Sequence, residues 1–272
     1  GILPWNFPFF LIVRKMAPAL VTGNTIVIKP SDETPINAFE FAKLVDGIGL
    51  PKGVFNMVGG RGSVVGDALT RHQDVDMISM TGSVATGKKI MAAAAENLTR
   101  VNLELGGKAP AIVLADADLD LAATAIWNSR VINTGQVCNC AEVVLVEEAV
   151  HDELVAKLKD KFESTRYGDT STEDELDMGP LINQAGLTNV SEMVQAAVDA
   201  GAQVVCGGAA AEDKGKGFFY QPTLLDGVEK GAAITREEVF GPVLPVVTVK
   251  DLDEAIEFAN SSEYGLTSSV YT

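Results

Sequence analysis

Met77-Ile-Ser-Met80, Thr81-Gly82-Ser83, an alanine-rich run to about Asn97 and then Val101-Asn-Leu-Glu-Leu105 form the stretch that decides the fold. A short apolar run, a small-residue turn, a helical pattern and a second apolar run predict strand, helix, strand. Two strands joined through a helix run parallel. The same alternation extends upstream. Thr25-Ile-Val-Ile-Lys29 reads as a buried strand, and Thr34 as a cap with Pro35 opening a helix to about Gly49. Val54 to Val58 reads as the next strand, followed by a glycine-rich turn and a short helix from Ser63 to Leu69. This order predicts an α/β fold with a parallel sheet covered by helices.

A second series follows Gly107. Ala111–Leu114 and Val143–Val146 read as strands, with helices from Asp118 to about Ile132 and from Val150 to about Arg166. An acidic loop, Asp169–Pro180, precedes a helix over Ala185–Ala200. Short strands are predicted at Gln203–Cys206, Phe218–Tyr220 and Val243–Thr248, and a helix at Leu252–Asn260. No element is assigned to the apolar stretch from Phe7 to Val13. The boundary between the series falls between Val101 and Pro110, giving domains 1–104 and 105–272. Glu104 then lies at a junction, where ligand sites concentrate.

Composition narrows the function classes. With 37 acidic and 21 basic residues, the net charge is −16. Such a chain repels phosphate backbones, which argues against nucleic-acid and anionic-membrane partners. Phe7–Val13 ends at Arg14-Lys15, far short of the roughly 20 residues a membrane span needs. Three cysteines, Cys138, Cys140 and Cys206, do not make a disulfide framework and point to a reducing, cytoplasmic compartment. The chain starts at Gly1 and stops at Thr272 inside a strand-like run, so both ends read as cut from a longer protein.

Two residues stand out chemically. Cys138 follows the Gly135-Gln136 turn, and an ionised thiol is a strong nucleophile. The commoner fate of a single cysteine is core packing, to which Cys140 and Cys206 are assigned. No His/Cys cluster completes a metal site. The two histidines, His72 in a polar loop and His151 at the start of an exposed helix, lie in no motif with Cys138, which moves the base role to a carboxylate. Glu104 sits in an apolar, glycine-flanked run. Burial there would raise its pKa toward the range of a general base, the alternative being a solvent-facing strand residue.

Other segments suit a nucleotide. Gly60-Arg-Gly62-Ser-Val-Val-Gly66 and Thr81-Gly82-Ser83 each join a strand to a helix, where free amides can meet a pyrophosphate. Either is equally an ordinary turn. Lys29 and Asp32 flank the end of a strand and can hold ribose hydroxyls, or form a surface ion pair. An acid there repels a 2′-phosphate. Asn6, fixed between Pro4 and Pro8, offers an amide to an oxyanion or merely satisfies its turn.

Taken in order, Pro4-Trp5-Asn6-Phe7-Pro8, Lys29-Pro30-Ser31, Thr81-Gly82-Ser83, Leu103-Glu104-Leu105-Gly106-Gly107-Lys108, Gly135-Gln136-Val137-Cys138 and Glu238-Val239-Phe240-Gly241-Pro242 resemble the aldehyde dehydrogenase superfamily across the whole chain. Val131 through Glu142 most resembles its bacterial lactaldehyde/glycolaldehyde branch. The resemblance implies a Rossmann-like cofactor domain plus an α/β catalytic domain. It implies Cys138 as nucleophile, Glu104 as hydrolytic base, Asn6 with the Cys138 N–H as oxyanion hole, and Lys29 as a further catalytic-site residue. It implies a cofactor path along Leu3, Trp5, Lys29, Ser31, Asp32, Gly62, Gly66, Thr81, Gly82, Ser83, Leu105, Glu238 and Phe240. The implied cofactor is NAD, with NADP the alternative, because Asp32 stands where most NAD-preferring relatives carry Glu. The implied partners are a small aldehyde and, in the full-length parent, further copies in a dimer or tetramer. Asn139-Cys140-Ala141-Glu142 replaces the Ala/Ser-Gly-Ser/Thr-Arg of many relatives. Other aldehyde specificities, acyl transfer to coenzyme A and an inactive structural homologue are the alternatives. The retained Glu104 argues against acyl transfer. The 272-residue piece alone is expected to turn over poorly, since missing strands leave edges unpaired.

Overall fold

The computed structural model describes residues 1–272, which form two compact units, Gly1–Leu105 and Gly106–Thr272. No helix is long and apolar enough to cross a membrane.

The first unit runs α1 (Pro8–Val21), β1 (Ile26–Ile28), α2 (Ile36–Gly47), β2 (Phe55–Met57), a π turn (Gly62–Gly66) leading into α3 (Asp67–Thr70), β3 (Met77–Thr81), α4 (Val84–Ala94) and β4 (Arg100–Glu104). Helix α1 covers the stretch to which sequence reading assigns nothing. Pro18 inside it is a helix-breaking signal, yet Pro8 starts the helix and Leu11, Ile12 and Lys15 bury one stripe. Thr34 does not cap α2. Its hydroxyl donates to the Trp5 carbonyl at 3.3 Å, and α2 begins behind Pro35 without a side-chain cap. The predicted Ser63–Leu69 helix begins instead as the π turn.

β1 pairs in parallel with β2, and β3 with β4. Ile2 joins the pairs through parallel bridges to Lys29 and Met80. The Leu3 N–H donates to Lys29 O (3.0 Å), and the Thr81 N–H to Ile2 O (3.1 Å). The spatial order is therefore β2, β1, the Gly1–Leu3 segment, β3, β4, which in chain order is 3-2-1-4-5. This is a doubly wound arrangement whose direction reverses at the Gly1–Leu3 segment. Alternation of side chains sends Ile2 into a core with Ile78, Met80 and Ile90, and Leu3 into one with Leu11, Ile12 and Ile28.

The second unit runs β5 (Ala109–Val113), α5 (Leu119–Val131), β6 (Ala141–Glu147), α6 (His151–Glu163), α7 (Gln184–Asp199), β7 (Gln203–Cys206), β8 (Thr223–Asp226), α8 (Ala233–Arg236), β9 (Val243–Val249), α9 (Leu252–Asn260) and β10 (Ser269–Tyr271). Its sheet has the order β10-β5-β6-β9-β8-β7. All pairings are parallel except β7 with β8. Val144, Val146, Leu244 and Val246 face α5 and α6, while Val143, Leu145, Val243 and Val247 face α7, α8 and α9. Burial on both faces explains the continuous apolar strands.

The structure differs from the sequence pattern at two places. Phe218–Tyr220 is not a strand, since Phe218 and Tyr220 make only isolated antiparallel bridges to Leu181 and Ala210. The ladder resumes after Pro222, where Thr223 pairs with Val243. His151 opens a helix that is exposed on one face only, with Leu154, Leu158 and Phe162 buried, and is itself half-buried. Its side chain is 17% exposed, and Nε2 meets Asp226 Oδ1 at 2.9 Å, tying the start of α6 to the end of β8. Leu158 lies fully buried between α6 and the sheet. Leu158→Ala is expected to cost about 2–5 kcal/mol through lost burial and a residual cavity. A chemical-denaturation midpoint indistinguishable from the parent chain would contradict this placement.

Candidate active site

In the first unit the singled-out residues share one edge of the sheet. Every strand is parallel, so the segments leaving the carboxyl ends meet there, as ligands of open α/β sheets require. Leu3 is buried, and Trp5 and Asn6 follow it before α1. Lys29, only 3% exposed, follows β1 and places Nζ 3.7 Å from Asp32 Oδ1. Ser31 is buried, and its Oγ accepts the Glu33 N–H (3.2 Å). Gly62 and Gly66 bound the π turn beyond β2. Thr81 ends β3, its Oγ1 buried with no protein hydrogen-bond partner. The Gly82 N–H donates to Glu104 O (3.0 Å). Ser83 caps α4 by accepting the Thr86 N–H (3.3 Å). Leu105 packs so close to Gly87 that a Cβ there would lie 2.7 Å from Leu105 Cδ2.

Glu104 departs from expectation. Its side chain is 40% exposed, and Oε1 lies 3.7 Å from Arg14 Nη2. As the last residue of β4, a sheet-edge position, it escapes the burial that its apolar neighbours suggest.

In the second unit the singled-out residues gather at the opposite kind of edge. Gly106–Lys108, Gly135–Cys140 and Glu238–Pro242 immediately precede the parallel strands β5, β6 and β9, and residues 264–267 lie just before β10. Asn133, Thr134 and Gly135 all take left-handed conformations (φ 48°, 59° and 73°) and turn the chain out of α5. This is costly for a β-branched threonine. Thr134 is held there by its hydroxyl, which donates to Gly179 O (2.9 Å). The Gln136 amide donates to Asn133 O (3.0 Å), while its Oε1 accepts the Ile182 N–H (2.9 Å). Cys138 follows, partly exposed, and Cys140 is buried. Burial pushes the Cys140 thiol up to about 11. Gly107 passes so close to the Cys138 carbonyl that a side chain would collide with it.

Glu238 lies against the same glycines. Its Oε1 accepts the Gly107 N–H at 3.0 Å, and a Cβ on Gly106 would strike its carboxylate. Phe240, two residues on, is left-handed (φ 53°). The two residues that sequence reasoning passes over are Arg130 and Glu142. Both are fully buried, with Nη1 donating to Oε1 at 2.7 Å, and Lys108 Nζ donates to Glu142 Oε2 at 2.8 Å. An arginine in the last turn of an apolar helix and a glutamate opening an apolar strand are the signal, because buried charges pair.

Burial pushes Glu238 up to about 7, the Gly107 hydrogen bond opposing it and the Glu142 charge adding to it. Ionising Glu238 is thus harder in the folded chain than at its ordinary value of 4.5. Its stabilising contribution is full below about 4.5, declines as pH rises, and is lost above about 7. Glu238→Gln keeps an acceptor for Gly107 and is expected to remove a decline of roughly 1–3 kcal/mol between about pH 4.5 and 7. Urea midpoints across that range measure it, and an unchanged slope would contradict the assignment.

The aldehyde dehydrogenase family matches residues 1–272. Lactaldehyde dehydrogenase of Escherichia coli K12 is 60% identical over 272 residues, covering all of this chain and 56% of that protein. Its crystal structure superposes with a TM-score of 0.98 over the whole chain and 57% of its own. A 3,6-anhydro-L-galactose dehydrogenase solved in complex with NAP is 46% identical, with TM-score 0.97, covering 100% of this chain and 57% of that one. Betaine aldehyde dehydrogenase of Staphylococcus aureus, solved with NAD+, is 37% identical, with TM-score 0.96, covering 100% and 54%. The chain thus spans little more than half the length of these relatives, yet matches them along its whole extent: it belongs to the aldehyde dehydrogenase family.

Proposed function

We propose that the full-length protein oxidises a small hydroxyaldehyde, such as lactaldehyde or glycolaldehyde, to its acid, with Cys138 as nucleophile and Glu104 as hydrolytic base. The observation that carries the reading is a partly exposed thiol on a loop whose neighbouring carbonyls are held, beside a second thiol that is buried. The 60% identity to a lactaldehyde dehydrogenase supports the substrate class. Three unbridged cysteines support a reducing, cytoplasmic setting.

The first unit's carboxyl edge fits a dinucleotide. The orphaned Thr81 hydroxyl, the N-terminus of α4 and the Lys29 ammonium offer polar groups at the point where strand order reverses. Asp32, 55% exposed beside Lys29, suits ribose hydroxyls and disfavours a 2′-phosphate, which favours NAD, with NADP the alternative. When bound, NAD supplies the acceptor for the hydride that leaves the aldehyde carbon. On the protein side, the Cys138 sulfur bonds to that carbon while Asn6 and the Cys138 N–H hold the resulting oxyanion. Loss of the hydride leaves a thioester on Cys138. Glu104 takes a proton from water, the hydroxide adds to the thioester, and the acid departs as the thiolate reforms. A carboxylate at the water-accessible end of a strand can exchange its proton with solvent between turnovers, which a sealed one could not.

Mixing the full-length protein with NAD and glycolaldehyde and following NADH absorbance tests the assignment. Cys138→Ala should lower turnover by at least roughly 1,000-fold, since no second group replaces a lost nucleophile. Glu104→Gln should release one equivalent of NADH per site and then stall. Wild-type turnover by the first variant, or steady turnover by the second, would overturn the respective role.

A further inference from the structure

Arg130 leaves the last turn of α5 fully buried and spreads four contacts across the loop that carries Cys138. Nη1 donates to Ala141 O at 2.9 Å as well as to Glu142. Nη2 donates to Gly135 O and, at 2.9 Å, to Cys140 Sγ. The Cys140 thiol in turn donates to Val137 O at 2.8 Å. The carbonyls held in this way stand on both sides of Cys138, at 135, 137 and 141. Thr267 Oγ1 donates to Asn139 O at 3.2 Å.

We propose that Arg130 and Cys140 are positioning residues for the Cys138 reaction, together fixing the Gly135–Ala141 loop so that the Cys138 thiol and its N–H keep one orientation. The proposal rests on the reading of Cys138 as the nucleophile. A packing role alone explains neither thiol contact, because an apolar side chain would fill the same space without bridging a guanidinium to a carbonyl. The chemistry also selects the residue types. Only a guanidinium presents enough donors in one plane to serve two carbonyls, a carboxylate and a sulfur, whereas a lysine has three donors at a single point. A thiol both accepts from the guanidinium and donates to the Val137 carbonyl, and a serine hydroxyl can do the same with a shorter reach. Glu142 neutralises the guanidinium and draws on Lys108, so the loop is tied to the start of β5 as well as to α5.

The test uses the full-length protein with Cys140→Ala, Cys140→Ser, Arg130→Lys and, as control, Cys138→Ala. The readouts are kcat and KM for glycolaldehyde, the pH profile of Cys138 alkylation by iodoacetamide mapped by peptide mass, and the thermal midpoint. Cys140→Ala should lower both kcat and the alkylation rate at neutral pH by about tenfold, with KM within about threefold, as expected for one lost orienting contact. Cys140→Ser should recover most of the loss. Arg130→Lys should lower kcat by about a hundredfold, the scale of a misplaced reacting group. If both Cys140 variants keep wild-type kcat and alkylation profile, the proposal is overturned, whatever the thermal midpoint does. If Arg130→Lys fails to fold, the Cys140 pair decides the matter alone. Turnover retained by Cys138→Ala would instead overturn the nucleophile reading, while the alkylation profile would still report whether the clamp orients the loop.

Discussion

A single buried carboxylate organises the second unit. Glu142 has no exposed surface, and its two oxygens receive Lys108 Nζ, Arg130 Nη1 and the Val239 N–H. Burial alone would push its pKa up, but the two cations and their hydrogen bonds outweigh this and keep it ionised. Those three donors come from the segments preceding β5 and β9 and from the end of α5. The carboxylate therefore pins together the chain segments that carry Gly107, Glu238 and Cys138. Such an arrangement adds little net stability over an apolar core. Removing one member, however, leaves an unpaired buried charge costing about 3–5 kcal/mol, so the arrangement persists or fails as a unit.

Parallel pairing does the rest of the gathering. In the first unit it brings segments far apart in sequence, Leu3–Asn6, Lys29–Asp32, Gly60–Gly66 and Thr81–Ser83, to the carboxyl edge of one sheet. In the second it brings Gly106–Lys108, Gly135–Cys140 and Glu238–Pro242 to the amino edge of another. Neither gathering depends on the identity of the loops. It depends on strand direction and order, which the crossover helices enforce. The loops then differ in how they are fixed. Those of the first unit rely on turns and caps such as Ser83, and that of Cys138 on buried side-chain hydrogen bonds.

Much of this was legible in the residues, and the exceptions have definite causes. The βαβ alternation through Met77–Leu105 predicted both the parallel pairing of β3 with β4 and the helix between them, because short apolar runs and a longer helical period are local signals. The part played by Ile2 was not legible. A two-residue bridge that joins two strand pairs has no periodicity to read. Helix α1 was hidden by Pro18, and β8 by its four-residue length between Pro222 and Gly227. The exposure of Glu104, one of the two readings its run allows, is not decided by sequence, because apolar neighbours in sequence are not neighbours in space at a sheet edge. Cys140 read as a packing thiol, and it is buried, but its bond to Arg130 depends on a partner ten residues away whose side-chain direction no pattern encodes.

The two glutamates beside this loop show how environment divides one chemical group into two roles. Glu142 faces two cations and stays charged. Glu238 faces one backbone N–H in a largely desolvated setting, with the negative Glu142 raising it further, and titrates near 7. Pairs whose surroundings push their pKa values apart mark sites where one group must hold charge and another can exchange a proton. Here the charged member does structural work at a distance from solvent. The titrating member lies against Gly106 and Gly107, where no side chain could be accommodated. The glycines thus permit the approach that desolvates Glu238, and the anchored Glu142 keeps the neighbouring loop from moving to relieve it. Glu142 thus contributes to both: its charge adds to the burial that raises Glu238, and its hydrogen bonds fix the segments around the Cys138 loop.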